Sequence, residues 1–113
     1  MGDYLTLKDN RDFQRVYRRG KSFVSPLIVT YVIKNNNNNL RIGITTSKKI
    51  GKAVQRNRCR RIIRAAFYML NSEIKNGYDI VFVARSKTPF VKSTDIYCYM
   101  KKHLKTAGIY ANE

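Results

Sequence analysis

The sequence predicts an α/β (α+β) two-layer sandwich in a single domain, its elements in the order α-β-β-α-β-α. Two observations carry that expectation. The 113 residues are enough chain for one hydrophobic core. Along them, segments with apolar residues at i, i+3 and i+4 interleave with short β-branched and aromatic runs. No internal repeat breaks the pattern.

The first helix is expected over residues 9–19. Asp9 suits its cap, Asp12 its positive first turn and Gly20 the position just past its end. Phe13, Val16 and Tyr17 share one face of it. Residues 27–34, LIVTYVIK, read as a well-buried strand introduced by Pro26. Five asparagines, Asn35, Asn36, Asn37, Asn38 and Asn39, follow as a flexible hairpin loop, because Asn tolerates left-handed backbone and bonds its own chain. Residues 40–46 then return as the partner strand, and a short extra strand is possible near Phe23. The second helix is expected over residues 53–70, with Asn76-Gly77 turning the chain after it. Residues 78–85, YDIVFVAR, form a nearly continuous apolar run of the kind covered on both faces. A last helix starts at Ser93 or Thr94, buries Ile96, Tyr97, Met100 and Leu104, and ends before Gly108.

Charge sets this chain apart. Twenty-three Lys and Arg face seven acids, for a formal charge of +16 and a pI near 10.3. Self-repulsion of that size opposes compaction and points to a polyanion as partner, with nucleic acid ahead of an acidic membrane surface. No run approaches a membrane span and no charged-then-apolar leader opens the sequence, so a cytoplasmic location is expected, with no membrane partner. Met1-Gly2-Asp3-Tyr4-Leu5-Thr6 fits the bare myristoylation pattern, which is too loose to weigh much. Cys59 and Cys98 have no Cys or His at ligand spacing and read as reduced, partly buried thiols.

The charge is concentrated. From Arg41 to Arg64 there are nine basic residues and no acid. In the second helix Cys59, Ile62, Ile63, Ala66, Phe67 and Leu70 make an apolar stripe at helical spacing. At about 100° per residue, Asn57, Arg60, Arg61 and Arg64 fall opposite that stripe, with Arg56 and Arg58 flanking it. A solvated face usually alternates its signs. Here Arg60 and Arg64 are like charges at i,i+4, which costs a few tenths of a kcal/mol, near the positive end of the helix dipole. A phosphate backbone removes that penalty, and guanidinium forks grip phosphate bidentately. The preceding loop adds Ser47, Lys48, Lys49 and Lys52 near the helix start.

A second candidate surface is aromatic. Phe13 and Tyr17 share a helix face, and Tyr31 lies mid-strand beside Leu27, Val29 and Ile33 on its side of the pleat. Single-stranded nucleic acid stacks on such faces, yet aromatics at i,i+4 more often belong to a core, and the residues alone leave both readings open. The acids decide against a protein nuclease. Asp3, Asp9, Asp12, Glu73, Asp79, Asp95 and Glu113 are scattered, and a metal-dependent nuclease needs them clustered. His103, the single histidine, stands among lysines and reads as solvated. No catalytic residue and no protein-bound metal are expected.

The stretch SKKIGKAVQRNRCRRIIRAAF, residues 47–67, resembles the signature of the bacterial ribonuclease P protein subunit. The resemblance extends to DFQRVYRRGKS at residues 12–22, to Tyr31, to Arg41-Ile42-Gly43 and to residues 80–85. In all it spans roughly residues 5–108. It implies a protein that assists a catalytic RNA in removing the 5′ leader of precursor tRNA. The RNA would perform the hydrolysis with Mg²⁺, and the protein would bind no cofactor itself. It implies that Ser47, Lys48, Lys49, Lys52, Arg56, Asn57, Arg58, Arg60, Arg61 and Arg64 face the RNA subunit. It implies too that Phe13, Tyr17 and Tyr31 hold the leader. A left-handed β-α-β crossover around the Arg-rich helix also comes from the resemblance, since handedness rules alone favour a right-handed one. Cys59 stands where a larger aliphatic residue is expected. A structural RNA-binding protein without a single-strand cleft is the first rival reading. A DNA-binding module is the second, with Gln55 and Asn57 as its only base-reading amides.

Overall fold

The computed structural model describes residues 4–111. The chain begins with a two-residue strand, β1 (Leu5–Thr6), and a helix, α1 (Asn10–Arg19). Strands β2 (Lys21–Val24), β3 (Ile28–Lys34) and β4 (Arg41–Thr45) follow, then helix α2 (Ala53–Tyr68), strand β5 (Tyr78–Ala84) and helix α3 (Ser93–Thr106). All six expected elements form, in the expected order, and the short strand near Phe23 is β2. The one strand without a sequence signal, β1 with its two residues, is too short to carry a period. The Met1-Gly2-Asp3 start of the myristoylation pattern lies outside the described residues.

The five strands make one sheet in the order β1-β4-β5-β3-β2. This corrects the expected hairpin: β3 and β4 are not neighbours, because β5 lies between them, antiparallel to β3 and parallel to β4. The apolar run of β5 explains the insertion. Its Asp79, Ile80, Val81, Phe82 and Ala84 are buried, and only a central strand is covered on both faces and both edges. The β4–α2–β5 connection is therefore the β-α-β crossover, consistent with the arrangement implied by the resemblance.

Side-chain alternation divides the sheet cleanly. Ile28 and Val32, Ile42, Ile80 and Phe82 face α2 and α3, meeting Cys59, Ile63, Ala66, Phe67, Ile96, Met100 and Leu104 in the main core. The expected α2 stripe is thus buried, with Ile62 half-exposed at its margin. Val81 points to the opposite face, where α1 lays Val16 beside Leu7 in a smaller cluster. Full burial of each such side chain contributes about 1.5–3 kcal/mol. Gly20 ends α1 in extended backbone, and the reason for glycine is space: a Cβ there would stand 2.5 Å from the Val16 carbonyl oxygen. Gly77 and Gly108 do adopt positive φ, at 92° and 74°, closing the turns that their positions suggested.

Asp9 occupies the α1 cap position, but its backbone carbonyl rather than its side chain accepts the first helical N–H groups. Asp95 closes the start of α3, its carboxylate accepting from the Lys92 N–H at 3.0 Å. Cys59 is buried, where desolvation pushes its thiol pKa up, and Cys98 is exposed. Tyr97 is half-buried rather than buried.

His103 corrects the expectation of a solvated ring. It is 8% exposed, stacked on Phe23 with ring centroids 6.0 Å apart, and its Nδ1 lies 2.8 Å from the Thr30 hydroxyl. Its lysine neighbours in sequence occupy other faces of α3, which the linear order conceals. Burial pushes its pKa down from the ordinary value. Above about pH 6.5 both folded and unfolded chains carry it neutral. Below that, the unfolded chain takes up a proton before the folded one does, so stability falls as pH falls. Thermal unfolding followed between pH 8 and pH 5 should show this decline, and His103→Gln should flatten it between pH 7 and 5.5.

Candidate nucleic-acid interface

Two surfaces emerge on opposite sides of the sheet. The first is the outer face of α2. Asn57, Arg58, Arg60, Arg61 and Arg64 are exposed there, and Arg56 is half-buried. The four ion pairs among the described residues involve only Arg15 and Arg41 with Asp12 and Asp79, so the α2 arginines have no acidic partner there. The approach to α2 is a single 3-10 turn, Lys48–Ile50, tied down by half-buried Ile50, and it leaves Ser47, Lys48, Lys49 and Lys52 exposed. Gly51 follows with φ 139°, a conformation that side chains resist, and a Cβ there would collide with the Gln55 amide. That amide closes the helix start: Gln55 Oε1 accepts from the Lys52 N–H at 2.9 Å, while the Arg56 guanidinium donates to the Gly51 carbonyl at 2.7 Å. Gln55 thus works as a capping residue rather than a base reader.

Sequence reasoning missed one neighbour of this surface. Phe90, 71% exposed on the Thr88–Phe90 turn, stands with exposed Val54 beside Lys48, Lys52, Arg56 and Arg58. An isolated Phe after Pro89 gives no periodic signal that could have found it.

The second surface is aromatic. The fold brings Phe13, Tyr17 and Tyr31 together, although they come from a helix and a strand. The Phe13 and Tyr17 centroids lie 6.4 Å apart, and Tyr17 meets Tyr31 edge-on at 5.1 Å. All three rings are half-buried, seated on Val16 and Val81 with part of each open to solvent. The Tyr17 hydroxyl is hydrogen-bonded to the Thr45 hydroxyl, which fixes the ring over β4. Phe13 lies directly over Gly43, where a Cβ would be 2.6 Å from its ring, so this glycine is what lets the helix approach the strand.

What holds α1 at that distance is a buried carboxylate. Asp79 is fully buried, and accepts from the Arg41 guanidinium at 2.8 and 2.6 Å, from Arg15 of α1, and from the Asn35 amide at 2.8 Å. Burial opposes ionisation, but these donors outweigh it and hold the carboxyl below the usual carboxylate range. Asn35, the first of the Asn tract, is itself buried and is structural rather than loop filler. Among the described residues no three His, Cys, Asp or Glu side chains come together as metal ligands would, and no helix is long and apolar enough to cross a membrane.

The fold and its surfaces define a class: a basic one-domain α+β protein with an arginine-rich crossover helix on one side of its sheet and an aromatic cluster on the other. The family model described as Ribonuclease P matches residues 1–108. The ribonuclease P protein component of Clostridium botulinum is 43% identical over 105 residues, covering 92% of this chain and 95% of that one. That of Clostridium novyi is 45% identical over 106 residues, covering 92% and 94%. Among solved structures, the Staphylococcus aureus RNase P protein superposes with a TM-score of 0.81 at 34% identity, over 96% of this chain and 99% of that one. The Thermotoga maritima protein gives 0.78 at 30%, over 89% and 96%. The chain belongs to the ribonuclease P protein family, whose members are protein components of a ribonuclease with an RNA partner.

Proposed function

We propose that this chain binds a catalytic RNA subunit through α2 and its preceding turn, and the 5′ leader of precursor tRNA through Phe13, Tyr17 and Tyr31. In that arrangement it assists removal of the leader. The observation that carries the reading is the unpaired arginine face: exposed Arg58, Arg60, Arg61 and Arg64 with no acid partner among the described residues, on a helix whose other side is fully committed to the core. Arginine is suited to phosphates of structured RNA because its fork is planar, always charged and bidentate.

The aromatic cluster suits a single strand. Half-exposed rings held at fixed angles offer stacking surface for unpaired bases, worth about 1–3 kcal/mol per base. The two surfaces face opposite ways from the sheet, so one RNA partner and one substrate strand can be held at once. Hydrolysis belongs to the RNA with Mg²⁺ in this reading, and the protein's part is to hold and orient. Its site of action would be the cytoplasm.

The test is reconstitution with a candidate RNA subunit at low Mg²⁺. The protein should raise cleavage of precursor tRNA, and purified protein alone should cleave none. Phe13→Ala and Tyr17→Ala should each weaken binding of precursor tRNA about 5- to 150-fold with mature tRNA unchanged, the stacking loss converted to affinity. Equal losses for precursor and mature tRNA would place the leader elsewhere.

A further inference from the structure

One cavity belongs to neither surface alone. Strand β1 pairs with β4 only at Arg41 and Ile42, so from Gly43 onward the outer edge of β4 has no strand beside it. A hollow of about 320 Å³ opens there, between β1, that edge and α2. This is the lower end of the ~300–1,000 Å³ range of small-ligand sites. Its walls are Tyr4 and Phe67, in edge-on contact at 5.2 Å, with Phe13 reaching around from α1. Arg60 and Arg64 stand at its rim, one helical turn apart, and Arg60 donates to the Ile44 carbonyl at 3.3 Å across the gap.

We propose that this hollow receives one unpaired nucleotide of the bound RNA, its base against Tyr4 and Phe13 and its phosphate on Arg60 and Arg64. The site rests on the reading that α2 faces RNA, and it adds a base-accepting pocket to what is otherwise a phosphate-gripping face. Charge selects the occupant. Neither arginine has an acidic partner among the described residues, so a neutral or basic peptide adding to the free β4 edge would leave both cations uncompensated. A nucleotide satisfies both halves of the site, since aromatic walls stack any base and guanidinium forks bind its phosphate. The pocket also lies between the two surfaces, with Phe13 shared, so a nucleotide there would fill the route from α2 to the aromatic cluster.

The experiment titrates the full chain with AMP and UMP, followed by NMR shifts of residues around the hollow, with inorganic phosphate and adenosine as separate probes. Thr6→Trp fills the hollow from the exposed β1 edge and keeps both arginines. Arg64→Met keeps the stem and removes the charge, and serves if the first variant fails to fold. Saturable AMP binding, weakened about tenfold or more by either variant, supports the site, the loss matching removal of one stacked base or one charged group. The proposal is overturned if AMP does not bind, if either folded variant binds it as the parent does, or if phosphate displaces AMP at equal concentration. RNA-subunit affinity is measured in parallel. A parent protein that fails to bind the subunit sinks the proposed function, whereas subunit binding without nucleotide binding in the hollow sinks this site alone.

Discussion

Asp79→Ala is expected to lower the unfolding free energy by about 3 kcal/mol, a fall of about 12 °C in midpoint for a domain of this size. The carboxylate is fully buried and is the common acceptor for Arg41 of β4, Arg15 of α1 and Asn35 beyond β3. Removing it leaves two guanidiniums facing each other with only the longer contacts to Asp12, at 3.6 and 3.7 Å, to offset them. The loss stays near the lower end of the ~3–5 kcal/mol range for broken buried pairs, because Arg15 and Arg41 are 32% and 21% exposed and can swing toward water. The wild-type protein should lose part of the network's contribution in acid. With its pKa depressed in the fold, Asp79 stabilises fully above the unfolded value of about 3.9, and that stability disappears as pH falls through the folded value. The variant should show a shallower acid limb. Leader affinity should fall with stability, since Arg15 anchors the helix that carries Phe13 and Tyr17. Denaturant unfolding with pH as the second axis checks both; an unchanged midpoint would show that the network is worth nothing net.

The triple change Arg60→Ala, Arg61→Ala and Arg64→Ala should reduce the slope of log affinity against log salt for the RNA subunit by about 3, one for each phosphate no longer neutralised. Each single change should reduce it by about 1. These side chains are exposed and opposite the core stripe, and the one bond lost, from Arg60 to the Ile44 carbonyl, is itself exposed, so folding should be little affected. Removing the Arg60/Arg64 repulsion should instead raise stability by a few tenths of a kcal/mol. Weaker binding together with an unchanged or higher unfolding midpoint separates a contact role from a structural one. An unchanged slope would show that these arginines do not touch phosphate.

Local pattern alone makes the α2 surface legible. A stripe at positions 59, 63, 66, 67 and 70 can be buried only by turning positions 57, 60, 61 and 64 outward, and the fold has that arrangement. The same logic fails at His103, because a residue's neighbours in sequence are not those on its helix face. It fails also for the Asn tract, whose first member is bound to a carboxylate 44 positions away. Such partners leave no periodic trace.

The sequence by itself determined the six main elements, the basic face of α2 and, through residues 47–67, the family resemblance. All of these depend on neighbours within a few turns of chain, where spacing alone decides which side chains share a face. Only the tertiary structure decided that β5 separates β3 from β4, that Asp79 ties α1 to the sheet, and that Phe13, Tyr17 and Tyr31 meet above Gly43. Those facts are contacts between distant segments, set by which apolar run takes the central strand and by how closely a helix can approach it.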